Sequence, residues 1–243
     1  MTRSEDKERR WYGIYTLGGA AALGAVLVGV VEILITFLPG GNTAQETVLD
    51  WFRLFQAYPF MGLRDLGLLN ILLDLLGILA YLALYAAHRK GPLRPFALLA
   101  LVISLLGVGV FLATNRAFPM LALSAQYARA GSATQRATLE AAGTAMLAVG
   151  ESHTPGTYPG FALSEVAGIL ISVVMLRGRI FSAAAAYAGL LGFGILFVFE
   201  FVASFVSGLG AVTMSLAMLG GLLSMAWYIL IAFRLLQLGR ESP

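Results

Sequence analysis

Glu32, Asp74, Glu165 and Glu200 each stand inside a long apolar stretch. A carboxylate in hydrocarbon is costly, so each needs a cationic partner, a proton or a water-filled cavity. Such groups suit proton transfer, the binding of a small cation or recognition of an amine. Depth follows from a rise of about 1.5 Å per helical residue. On that rise Glu32, Glu165 and Glu200 lie about 8–9 Å inside one membrane boundary. Asn70 is at similar depth, and Asp74 is placed one turn deeper, near the midplane. Together the five form a candidate ligand- or ion-binding layer. Arg64 and Arg116, at span ends on the same side, are the expected charge partners. Acids that they do not reach are expected to carry a proton or to hold a cation. A static hydrogen-bonded network that orients the helices is the competing reading.

Helical faces decide whether the acids turn inward. Gly67, Asn70, Asp74, Gly77 and Tyr81 recur at spacings of three and four, as do Ala25, Gly29, Glu32 and Thr36. Glu165, Gly168 and Ser172 align in the same way. Gly189, Gly192, Glu200 and Ser204 fall near one face. Small and polar residues mark helix contacts in lipid, where backbones approach and hydroxyls bond across. The acids are therefore expected to face the protein interior.

The elements that must position them are membrane helices. Only 12% of the residues are charged and mean hydropathy is +0.83, which no soluble surface accommodates at this length. Crossing the hydrocarbon core takes about 20 apolar residues. Six segments meet this requirement, at about 12–38, 63–88, 95–115, 160–177, 180–206 and 210–237. The first is far longer than the roughly 7–15 residues of a signal-peptide core, so it reads as a retained span. The expected fold is an all-α polytopic bundle of six transmembrane helices, forming a single integral membrane domain over 1–243.

Lys and Arg set the orientation. Arg3, Lys7, Arg9, Arg10, Arg89, Lys90, Arg94, Arg177, Arg179, Arg234 and Arg240 fall on one side, against Arg53, Arg64, Arg116, Arg129 and Arg136 on the other. Both termini are thus expected in the cytoplasm. Two outward segments have structure of their own. Residues 45–58, QETVLDWFRLFQAY, place Val48, Phe52, Phe55 and Tyr58 at helical spacing and read as a short interfacial helix. Residues 117–150 read as a helical hairpin broken at Gly131, with Ser132 to Gln135 resembling a capping box.

Other chemistry has little support. With no cysteine, disulfides and thiolate metal sites are excluded. His153 and Glu151 are two metal-ligand types where a zinc site needs at least three protein ligands, so His153 reads as a solvated loop residue. His88, beside Arg89, reads as an interfacial side chain. No Gly-x-Ser-x-Gly, His-Glu-x-x-His or phosphate-cradling loop occurs. No cofactor is implied. Basic residues sit at span ends rather than in one patch, which argues against nucleic acid as a partner.

From Asn115 onward several phrases are distinctive: NRAFPMLALSAQYARA, QRATLEAAGTAMLA, SVVMLRGRIFSAAAAYAGLLG and WYILIAFRLLQLG, with ALYAAHRK at the end of the second span. They resemble a bacterial six-span family catalogued as domain of unknown function 4386, over roughly the last two-thirds of the chain. The resemblance implies a bacterial membrane protein with six helices and carries over no site residues. The leading expectation is a transporter or ligand-binding protein of the bacterial cytoplasmic membrane, with the lipid bilayer around it and a small cation, proton or amine as ligand. A membrane-embedded enzyme acting on lipid or isoprenoid is one alternative. A non-catalytic subunit is the other, partnered by its own copies or by a membrane complex through the hairpin.

Overall fold

Capping residues, prolines and two left-handed glycines, Gly67 and Gly208, divide the described residues into ten helices. The computed structural model describes residues 3–37 and 45–241, with side chains from residue 11 onward. The first-span end expected at Leu38, and the side chains of Arg3, Lys7, Arg9 and Arg10, lie outside the described residues. In chain order the helices are α1 (Arg3–Phe37), α2 (Val48–Ala57), α3 (Pro59–Asp65), α4 (Leu68–His88), α5 (Arg94–Thr114), α6 (Ala117–Ala128), α7 (Ala133–Gly150), α8 (Tyr158–Gly178), α9 (Ala183–Phe205) and α10 (Gly210–Arg240). No strand occurs among the described residues.

Six helices are long and apolar enough to cross a membrane, with the third running through α5 and α6. Each packs on the next: α1 on α4, α4 on α5, α5 on α8, α8 on α9, α9 on α10, and α10 returns to α1. The result is a closed ring of six. Its core occupies the half away from the hairpin, where Tyr81, Leu84, Ile171, Met175, Phe193, Trp227 and Ile231 meet. Trp227 is fully buried and meets Phe193 edge to face at 5.0 Å.

A second core lies at the other end. Thr47 caps α2 reciprocally: its hydroxyl accepts from Asp50 N, and Asp50 Oδ2 accepts from Thr47 N at 3.0 Å. Helix α2 then buries Trp51, Phe52 and Phe55 with Leu66, Ala117 and Met120. The interfacial helix expected over 45–58 is present, but its aromatic face is turned onto α6 and α7 rather than toward lipid. The hairpin α6–α7 forms as expected, with the Ser132 hydroxyl accepting from Gln135 N at 3.2 Å.

The second span does not begin at residue 63. Helix α3 ends at Asp65, and Gly67 at φ +93° turns the chain into α4. Asn115 holds this corner, donating to Leu66 O at 2.7 Å and accepting from Ala117 N at 3.1 Å. A Cβ on Gly67 would lie 3.1 Å from Asn115 Nδ2. His88 is also not interfacial. It is 2% exposed, stacks on Phe181 and bonds Leu84 O through Nδ1 at 2.9 Å.

Gly67→Ala is expected to cost about 1–2 kcal/mol, because a left-handed backbone disfavours any Cβ. The loss is read as a lower temperature for half-loss of the monodisperse peak after heating in detergent. An unchanged temperature would mean that the corner tolerates a side chain.

Candidate functional site

The break at Gly67 resets the depth of the acids. Asp74 is six residues into α4 and Glu165 is seven into α8, while Glu32 and Glu200 are each five from the hairpin-side ends of α1 and α9. All four therefore lie about 8–10 Å from their helix ends, in one layer. Asp74 is not a turn deeper than the rest.

A cavity of about 540 Å³ opens above this layer at the hairpin end. Its wall includes Glu32, Thr36, Arg64, Asp65, Asn70, Glu151, His153 and Phe199, with Trp51, Leu69, Met214 and Ala217 supplying apolar surface. Of the five residues expected to bind a ligand, only Glu32 and Asn70 line it. Asp74, Glu165 and Glu200 are not among its lining residues.

Arg64 is the organising cation at the mouth. It is 7% exposed and pairs with Glu32 at 2.7 Å and with Asp65 at 2.8 Å. It also donates to the Thr36 hydroxyl. One guanidinium thus ties α1 to the α3–α4 corner, as its fork of donors allows. Burial pushes the Asp65 carboxyl above its ordinary range, and the Arg64 guanidinium only partly offsets this. Arg116 does not take the part expected of it. Its Nη1 donates to Ala113 O at 2.6 Å and to Asn115 O at 3.1 Å, and it pairs with no acid among the described residues. At the end of α5 its side chain satisfies orphan helix carbonyls instead.

Glu200, 3% exposed, is met by a histidine. His153 Nδ1 lies 2.9 Å from Oε1 and 3.1 Å from Oε2. The imidazole stacks on Phe161 at 5.2 Å and meets Phe199 edge-on at 4.9 Å. Its backbone is left-handed, φ 58°, uncommon outside glycine and asparagine. His153 is a loop residue with its side chain 40% exposed, as expected, but it is not free: two rings and a carboxylate fix it at the edge of the interior. Its only sequence signal was the loop itself, since its partner is 47 residues away. No group of three His, Asp or Glu side chains suited to a metal ion occurs among the described residues.

Asp74 and Glu165 are left. They are close enough to interact electrostatically with each other, Glu165 also with Glu200, and the hydroxyls of Tyr81 and Tyr228 lie near both. Neither carboxylate makes a hydrogen bond or ion pair among the described residues. Glu165 is 9% exposed, and its Oε2 is buried without a protein partner. Chemically the pair can take a proton or a cation.

No family model, curated protein or solved structure matches the chain. Fold and composition define its class, a multi-pass all-α membrane protein.

Two measurements follow. Arg64→Gln strands Glu32 and Asp65 and is expected to destabilise by about 2–3 kcal/mol, below the 3–5 of a fully buried pair because Glu32 is partly exposed. Glu32→Gln should cost less, and detergent thermal unfolding ranks the two. Burial holds Glu151 above its ordinary 4.5. Its ionised form is thus disfavoured on folding, and the penalty grows as pH rises through its unfolded and then its folded pKa. Glu151→Gln should stabilise at pH 7 and have little effect at pH 4. A gain of equal size at both would contradict this.

Proposed function

We propose that the protein is a transporter or ligand-binding protein of the bacterial cytoplasmic membrane, taking a small cation, a proton or an amine at Asp74 and Glu165. The carrying observation is that Glu165 is buried and Asp74 half-buried, close enough to interact, with no protein cation on either among the described residues. Glu32 and Glu200 already have partners, so they shape the approach rather than form the binding point. The cavity above provides a path from the hairpin side, past Asn70 and the His153–Glu200 pair. Eleven Lys and Arg against five support an orientation with that side outside the cell and both termini in the cytoplasm. The bacterial source is inferred only from the phrases that resemble the six-span family.

A specific observation favours a second reading, the static network. Arg64 with Glu32 and His153 with Glu200 are the contacts such a network would make. It leaves Asp74 and Glu165 unexplained, which is why it ranks second.

The test uses protein reconstituted in liposomes, with a pH-sensitive dye inside and labelled methylammonium outside. Asp74→Asn and Glu165→Gln should each reduce the pH-dependent signal by about tenfold or more, the scale of one lost charged hydrogen bond. Glu32→Gln should reduce it less. Gel filtration establishes that the variants fold. Wild-type signals from both interior variants would leave only the static network.

A further inference from the structure

A second cavity, about 270 Å³, opens at the end away from the hairpin, between the α4–α5 turn at Gly91–Leu93 and the end of α8 at Arg177 and Gly178. His88 forms part of its wall. A carbonyl oxygen only accepts, so the bond to Leu84 O places a hydrogen on Nδ1. Nε2 of the neutral ring is then an acceptor. That atom is buried and has no protein partner, a costly deficit if left unmade. The ring edge faces Gly178, where a Cβ would lie 3.0 Å from both Nε2 and Cδ2. Glycine at 178 therefore keeps the space before Nε2 open. Arg177 lines the same space, is exposed, and pairs with no acid among the described residues. Its neighbour Arg89 is turned away, stacked over Trp11 at 4.5 Å and donating to Tyr15 Oη at 2.8 Å.

We propose that this cavity binds a phosphate ester that carries its own hydroxyl or ammonium donor, with the phosphate on Arg177 and the donor on His88 Nε2. A lone cation would satisfy the acceptor but repel Arg177; a bare anion would pair with Arg177 and leave the acceptor unmet. A group holding both satisfies both. The cavity sits where α4 and α8 end, the level of lipid headgroups in a six-span bundle, and basic pockets between spans at that level hold anionic headgroups. A phosphoglycerol headgroup and soluble glycerol phosphate share this chemistry. A phosphocholine headgroup lacks an N–H or O–H donor and is a poor fit.

Full-length protein in phosphatidylcholine nanodiscs, titrated with phosphatidylglycerol or with glycerol phosphate, tests the proposal by thermal unfolding and native mass spectrometry. Phosphatidylglycerol is expected to raise the unfolding temperature and to persist as an adduct. Arg177→Gln should weaken that binding by about tenfold. Gly178→Ala should abolish it by filling the space before Nε2. Arg240→Gln, an exposed cation at the same end and outside the cavity, should leave it unchanged. Arg177 is exposed, so its variant tests the site even where Gly178→Ala fails to fold. A response to glycerol phosphate alone, lost in Arg177→Gln, keeps the site and assigns it a soluble ester. Equal losses in Arg177→Gln and Arg240→Gln, or no response to either compound, overturn the proposal.

Discussion

Carboxylates inside a hydrocarbon-embedded bundle must each be compensated, and the hairpin half of this protein is arranged around that requirement. Glu32 is the clearest case. Its cation comes from α3, so α3 cannot continue straight into α4: a straight helix would carry Arg64 along the α4 axis instead of back toward α1. Gly67 supplies the turn, and Asn115 donates to the Leu66 carbonyl that the turn leaves open while accepting from Ala117 N at the start of α6. A single ion pair thus accounts for a left-handed glycine, a buried asparagine and a seven-residue helix. Asp65, the second carboxylate on Arg64, is held at the corner by the same guanidinium.

Glu200 is compensated from the opposite direction, by a loop. The segment between α7 and α8 brings His153 over α9, and the rings of Phe161 and Phe199 keep the imidazole in place despite its unfavourable backbone. Strain of this kind, about 1–3 kcal/mol, persists only where surroundings over-determine it. The hairpin assembly has its own aromatic core, while Arg64 and His153 reach from it to the carboxylates of the spans. Cap and ring are therefore joined by charge contacts as well as by the α3–α4 and α5–α6 connections. Displacing the cap would uncover two interior carboxylates.

The legible parts of this architecture are those that one helix at a time can encode. Apolar runs marked the six spans, and spacing of three and four turned Glu165 and Glu200 inward, where both are buried. Ser132 and Thr47 are local capping signals, and Ser132 was read as one. The illegible parts depend on partners distant in the chain. Gly67 was placed on a helical stripe because its spacing fits one; only the position of Asn115, 48 residues on, makes it a corner. Arg116 was paired with an acid because it sits at the right depth, yet the nearest acceptors are the carbonyls of its own helix end. His153 and His88 were both assigned to solvent or interface. Their partners, Glu200 and Phe181, are 47 and 93 residues away, beyond any periodic pattern. The spacing of Val48, Phe52 and Phe55 marks an apolar face on α2, but periodicity defines a face without naming what covers it, and here that is α6 and α7.

The two halves of the ring differ in a way that bears on the proposed function. The half away from the hairpin is closed by Tyr81, Ile171, Phe193 and Trp227, so anything reaching Asp74 and Glu165 from the cavity meets a packed floor. A protein that only binds would be served by an apolar floor throughout. This one places Ser172 Oγ and Trp227 Nε1 there, both buried without a protein partner. Both also border Gly189. Unsatisfied donors inside a membrane core are costly, and residues that could be replaced by apolar ones of similar shape are poor choices for stability alone. Under the proposed transport reading they have a use: Ser172 is the next polar group beyond Glu165 on the same face of α8, and Trp227 reaches the same place from α10. The Trp227 ring also packs on Phe193 and Tyr81, so packing explains the ring and leaves its N–H and the Ser172 hydroxyl as the groups that the proposed transport would use.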